Sequence, residues 1–127
     1  IHAAAAKLSE PVEVLVQVNV ADERQKHGIA PAAVRHLIDQ MDTMFNIRVR
    51  GMMVMAPLTE DPEEAAPHFQ RAHELFDEVQ RTGAAGAGFD ILSMGMSNDF
   101  EVAIRHGANV VRVGSAIFGE PAEPSAD

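Results

Sequence analysis

A chain of 127 residues with 46% hydrophobic and 23% charged side chains has room and composition for one modest folded domain, which argues against a second full domain and against wholesale disorder. Its 19 acidic and 10 basic residues give a formal net charge of -9, which repels nucleic-acid phosphates, so any bound phosphate must be held locally by backbone amides and one or two basic side chains. The absence of cysteine removes disulfides and thiolate metal sites, and no apolar run is long enough to cross a bilayer. The expected setting is the cytoplasm, with neither membrane nor nucleic acid as a partner.

The opening "IHAAAAKLSE" reads as a helix already under way, Ala-rich, without an N-cap and stopped by Pro11, as at the beginning of a piece of a longer protein. "VEVLVQVNV" (12–20) is short and rich in Val, which predicts a parallel strand buried on both faces. Pro31 suits a first helical position, and Val34, Leu37, Ile38, Met41 and Phe45 recur at spacings of three and four, forming the apolar stripe of a helix. "IRVRGMMVMA" (47–56) is a second strand, with Arg48 and Arg50 outward or at its entry end. Asp61 is placed to cap the next helix, followed by Pro62, Glu63 and Glu64 in the first turn. Ala65, Phe69, Ala72, Phe76 and Val79 make its buried stripe, and Pro67 is expected to delay or bend its start.

"GAAGAG" (83–88) reads as a flexible connection and not as a dinucleotide fingerprint, because a strand follows it instead of a helix. "FDILSM" is the third strand, residues 98–106 a short helix ended by Gly107, and "NVVRVG" the fourth strand, with a turn or short helix from Ser115. The tail 120–127 reads as disordered, leaving residues 1–119 as the domain. Such alternation is the mark of an α/β fold with parallel strands and right-handed crossovers. A (β/α)8 TIM-type barrel takes about 250 residues and eight units. Four units therefore read as its C-terminal half, units five to eight, with a small open doubly wound sheet as the rival of equal length.

Two small-residue turns, Gly-Met-Ser at 95–97 and Gly-Ser-Ala at 114–116, each follow an apolar strand. In a barrel the loops after the last two strands often hold a phosphate. Gly95 and Gly114 would let the main chain approach a ligand closely, while Ser97 and Ser115 add hydroxyl donors and the helix starts add free amides. The plainer alternative makes Ser97-Asn98-Asp99 an ordinary N-cap and the glycines ordinary turn residues. Arg112 interrupts a buried strand, where a permanent charge needs an acceptor, either a carboxylate inside the sheet or a ligand. Met52, Met53, Met55, Met94 and Met96 are expected to fill the core, with Met96 also placed to touch a ligand ring. The histidines lack metal-ligand spacing, and Glu63, Glu64, Glu74, Asp77 and Glu78 read as a solvated helix face. With no nucleophile elbow and no Walker lysine, neither a catalytic nor a metal site is assigned.

Together "VLVQVN", the E-x-x-K-x-G of "DERQKHG", "VRGMMVM", "LSMGMSNDFEVAI" and "VRVGSAIFG" resemble, in matching order from Val12 to Gly119, the pyridoxal phosphate homeostasis proteins, which share the barrel of the alanine racemase N-terminal domain. The resemblance implies a single-domain (β/α)8 barrel that holds pyridoxal 5'-phosphate, acts in vitamin B6 homeostasis and has no established turnover. It implies that Ser97 and the Gly114–Ser115 turn hold the phosphate and that Arg112 faces the pyridine nitrogen. The family's Schiff-base lysine lies on the first barrel strand, and this chain matches strands five to eight. Lys7 and Lys26 are its only lysines, and Lys26 matches a family loop lysine. The chain is therefore expected to lack the covalent anchor. A full-length protein of this kind is expected to be a monomer, and a half-barrel to associate with itself through unpaired edges. The rival reading is the C-terminal half of a phosphate-binding barrel enzyme: a racemase, an aldolase or a synthase.

Overall fold

The computed structural model describes residues 1–21, 28–83, 85, 86 and 88–120, so the expectations for Lys26 and for the tail beyond Glu120 lie outside the described residues. A short helix α1 (His2–Ala5) precedes β1 (Val12–Val18), α2 (Val34–Asp42), β2 (Ile47–Val54), α3 (Ala66–Thr82), β3 (Ile91–Met96), α4 (Phe100–Arg105), β4 (Val110–Arg112) and α5 (Ser115–Phe118). The strands form one parallel sheet in the order β1-β2-β3-β4. Each crossover moves one place in the same direction, and right-handed crossovers then set every connecting helix on the same face. A doubly wound sheet needs a reversal of strand order. There is none here, so the doubly wound alternative is set aside.

Side chains alternate across a strand, and register aligns them into rows. Val16, Met52 and Leu92 are neighbours in one row, and Val18, Val54 and Met94 in the next, all buried. Val34 and Ile38 of α2, Phe69, Ala72, Phe76 and Val79 of α3, and Val102 and Ala103 of α4 complete this core. Full burial of one such large side chain is worth about 1.5 to 3 kcal/mol. The Phe76 and Phe89 rings stack with centroids 5.2 Å apart.

The other face of the sheet is partly open. Glu13 is exposed, and Leu15 and Val110 keep 36% and 41% of their surface in contact with solvent. This corrects the expectation that the first strand is buried on both faces. A Val-rich run satisfies one covered face, and the helices cover only one.

Local signals account for α3. The Asp61 carboxylate accepts the Glu63 amide at 3.0 Å, a 3-10 turn spans Pro62–Ala65, and the α-helix follows from Ala66 with Pro67 in its first turn. All five residues of the expected stripe are buried, and Gly83 ends the helix at φ 69°. On its outer face Glu74 accepts from Gln70 and Asp77 pairs with Arg81, while Glu63 of the preceding 3-10 turn pairs with Arg105 of α4. The stripe of α2 is shorter than expected. The Thr43 hydroxyl and amide both return to the Gln40 carbonyl and close the helix, so Phe45 falls beyond it and is 88% exposed.

β2 carries one extra residue relative to β1: Val14 faces Val49, but Leu15 faces Gly51. Arg50 is that bulge residue. Its guanidinium reaches Glu13 at 2.6 Å and Asp90 at 2.9 Å, and its Nε donates to the Gly88 carbonyl at 2.8 Å. The Asp90 carboxylate, and then that of Glu13, hold this guanidinium above its ordinary pKa. The contacts place Arg50 at the entry end of the strand, as expected. The next residue, Gly51, lies so near β3 that a Cβ there would sit 1.7 Å from the Ile91 carbonyl oxygen. Replacing Gly51 with alanine should therefore push two ladder strands apart and cost about 1 to 3 kcal/mol or more. Urea unfolding followed by circular dichroism checks this, and an unchanged midpoint would contradict the close approach.

Candidate functional site

β3 and β4 deliver the two small-residue turns to the carboxyl end of the sheet. Gly95, the penultimate residue of β3, has φ +101°, and a Cβ on it would lie 2.7 Å from Ala103 Cβ and 2.9 Å from Phe100 Cα. Glycine is required there so that α4 can lie against its own strand. The sequence suggested a ligand approach at Gly95, and the structure gives the glycine this packing role.

The turn after Gly95 closes on itself. The Asp99 amide donates to the Met96 carbonyl at 3.1 Å, and the Met96 amide donates to Asp99 Oδ1 at 2.8 Å. Ser97 does not cap α4, whose N-cap residue is Asp99. Its Oγ instead accepts the Gly114 amide at 3.1 Å and the Ala116 amide at 3.0 Å. The two turns are thus one cluster, joined across 17 residues by a single hydroxyl. A serine oxygen has two lone pairs. With both accepting amides, its own O–H remains available to donate to an anion. At Gly114 no heavy atom lies within 4 Å of where a Cβ would be, so the main chain of β4's turn borders open space, with Ser115 half-buried beside it.

Arg112 pairs in register with Met96, on the same side of its strand as Val110, and its Nη2 donates to the Val54 carbonyl of β2 at 2.7 Å. Its Nε is buried without a hydrogen-bond partner, alone in this among the side-chain nitrogens and oxygens of the described residues. Burial pushes the guanidinium below its ordinary pKa, and the charge of Asp99 acts in the opposite direction. A buried donor without an acceptor costs about 1 to 3 kcal/mol. Among the described residues the bonded partner of Arg112 is a carbonyl and not a carboxylate, so the paired-charge alternative loses its support. Met96 is 41% exposed and outside the core that Met52 and Met94 occupy, which corrects its assignment as a core residue and leaves its side chain facing solvent next to this cluster.

Sequence reasoning missed Asn109. Its Oδ1 accepts the Leu92 amide at 2.8 Å, its Nδ2 donates to the Asp90 carbonyl at 2.6 Å, and its own amide donates to the Leu92 carbonyl at 3.1 Å. The side chain acts as one more peptide unit at the start of a three-residue strand. Asn98 ties the Ser97 turn to the loop after β2 through the Thr59 carbonyl at 3.2 Å. A depression of about 250 Å³ borders this turn, lined by Ser97, Asn98 and Asp99 together with Glu63, Glu101 and Arg105, and its acidic groups disfavour an anion on that side; another, of about 540 Å³, lies at the opposite end, between Ile38, Met41, Ile47 and Val49.

Residues 1–122 match the alanine racemase N-terminal domain family. The chain is 43% identical over 108 residues to the pyridoxal phosphate homeostasis protein of Aquifex aeolicus, covering 85% of this chain and 46% of that protein. It is 35% identical to the protein of the same name from Schizosaccharomyces pombe over 130 aligned positions, covering 100% of this chain and 53% of the relative. Among solved structures, PipY of Synechococcus elongatus with pyridoxal phosphate bound aligns with a TM-score of 0.78 and 30% identity, over 93% of this chain and 54% of that one. An alanine racemase from Clostridium difficile, at 22% identity and a TM-score of 0.69, shares the fold. The chain spans about half the length of the curated relatives it matches. The family match over nearly the whole sequence, on a parallel sheet with its two end turns joined, shows that the chain belongs to the alanine racemase N-terminal domain family.

Proposed function

We propose that the protein holds pyridoxal 5'-phosphate and serves vitamin B6 homeostasis without turnover. The observation that carries this reading is the unpartnered Nε of Arg112 on the strand that leads into the Ser97–Gly114 cluster. When bound, pyridoxal phosphate supplies an aldehyde that condenses reversibly with amines and a ring that withdraws electron density. Ser97 would donate its O–H to the phosphate, with the Gly114 and Ser115 main chain beside it, and Met96 would lie against the ring. Arg112 cannot take a proton, so it donates to the ring nitrogen and disfavours protonation there. A ring so held is a weak electron sink, which suits storage and delivery better than turnover. The names of the relatives agree: they are homeostasis proteins.

The sequential sheet and the half-length match support reading these four strands as the second half of an eight-stranded barrel. Lys7 precedes β1 and so belongs to the amino end of the strands, away from Ser97. Lys26 follows β1 and lies outside the described residues, and the contacts proposed here, through Ser97, Gly114, Ser115 and Arg112, are non-covalent. β1 and β4 are the edges of the sheet, β1 bridged on its outer side only by Ile29 at Val18, and such largely unpaired edges beside a half-open apolar face drive association.

Titration of the 127-residue chain with pyridoxal phosphate should give saturable binding, with the cofactor released on denaturation even after borohydride treatment. Lack of saturation, or rapid racemisation of alanine, would overturn the assignment. Arg112→Met should weaken binding at least tenfold, about 1.4 kcal/mol, while changing stability by less than about 1 kcal/mol, because a costly buried charge leaves with its one hydrogen bond. Equal affinity of the two forms would remove Arg112 from the site. Sedimentation velocity should show the chain associating as its concentration rises, and a monomer throughout would argue against open edges.

A further inference from the structure

We propose that Asp99 is the positioning residue of this cluster, fixing the turn that sets the Ser97 hydroxyl under the Gly114 and Ala116 amides. The inference rests on the reading above in that the positioned cluster is the phosphate site. An aspartate at the start of a helix ordinarily accepts the amide two or three residues on. Asp99 occupies that position on α4 and makes no such cap. Its side chain turns back to the Met96 amide at 2.8 Å, while its own amide bonds the Met96 carbonyl at 3.1 Å. Two hydrogen bonds to the same residue close a ring with Ser97 and Asn98 inside it, and Asn98 is tied outward to Thr59. Ser97 therefore has little freedom to leave the two amides it accepts.

The residue is 7% exposed, so its geometry is set by packing as well as by hydrogen bonds. A carboxylate is a costly choice next to an anion site, since like charges repel. It is tolerable because the Arg112 guanidinium feels the opposite charge of Asp99. What the turn needs from residue 99 is an acceptor at the right distance, and an amide oxygen meets that need without the charge. Position and charge can therefore be separated by substitution.

Asp99→Asn keeps the acceptor and removes the charge; Asp99→Ala removes both; Asp99→Glu keeps the charge and carries the acceptor past the Met96 amide. Binding of inorganic phosphate should fall about tenfold or more in Asp99→Ala, and in Asp99→Glu should the alanine form not fold, while Asp99→Asn should bind at least as tightly as the parent. A merely structural residue would lower stability without that rescue. In the ligand-free protein, hydrogen exchange of the Gly114 and Ala116 amides should speed up in Asp99→Ala or Asp99→Glu and stay slow in Asp99→Asn. Unchanged exchange at those amides in every variant, or an Asp99→Asn form as impaired as Asp99→Glu, would overturn the proposal. If the parent binds neither inorganic phosphate nor pyridoxal phosphate, the proposed function falls, and the exchange comparison still decides the role of Asp99.

Discussion

The constraint on which this structure depends is the handedness of its crossovers. Four parallel strands in sequential order, each joined to the next in the same direction, place the connecting helices on one face and gather the strand ends that follow them on one edge. The asymmetric burial follows: Val16, Met52 and Leu92 lie under helices while Leu15 and Val110 stay partly in solvent. The site follows too, because the turns leaving β3 and β4 emerge side by side at the carboxyl end, where one serine hydroxyl spans them. The end of β2 is close enough for its Val54 carbonyl to hold Arg112.

The two ends of the sheet are built differently. At the amino end the Arg50 bulge draws Glu13, Gly88 and Asp90 together with fully paired charge. At the carboxyl end Arg112 is half-buried, bonded once, and left with an unanswered N–H. Paired charge at one end and unmet hydrogen-bonding capacity at the other distinguish the two arginines. The same contrast applies to the two end glycines. Gly95 is filled around by α4, and Gly114 borders open space.

What the sequence disclosed was local. The start of α3 was legible because cap, proline, acidic first turn and apolar stripe are all written within one segment. Arg112 was legible because a charge within an apolar strand demands an explanation wherever the chain folds. Phe45 was misplaced because periodicity continues past Asp42, whereas the helix is closed by the Thr43 contacts to Gln40. The packing role of Gly95 was not legible, because a glycine needed for packing and a glycine needed for ligand approach look the same in a string of letters. The partners of Arg50 lie 37 and 40 residues away, beyond any spacing rule, and the reach of Ser97 to Gly114 became visible only with the sheet assembled.

The borrowed peptide unit at Asn109 has a further implication. Because a side chain takes over the first rung, β4 needs only Val110, Val111 and Arg112, and the guanidinium sits in the final rung of a strand with no length to spare. Period-two alternation then makes chain length itself a determinant of the site: inserting or deleting one residue between Asn109 and Arg112 would swing the cation round to the side occupied by the helices. Lineages of this domain should accordingly accept substitutions along that stretch far more readily than changes in its length.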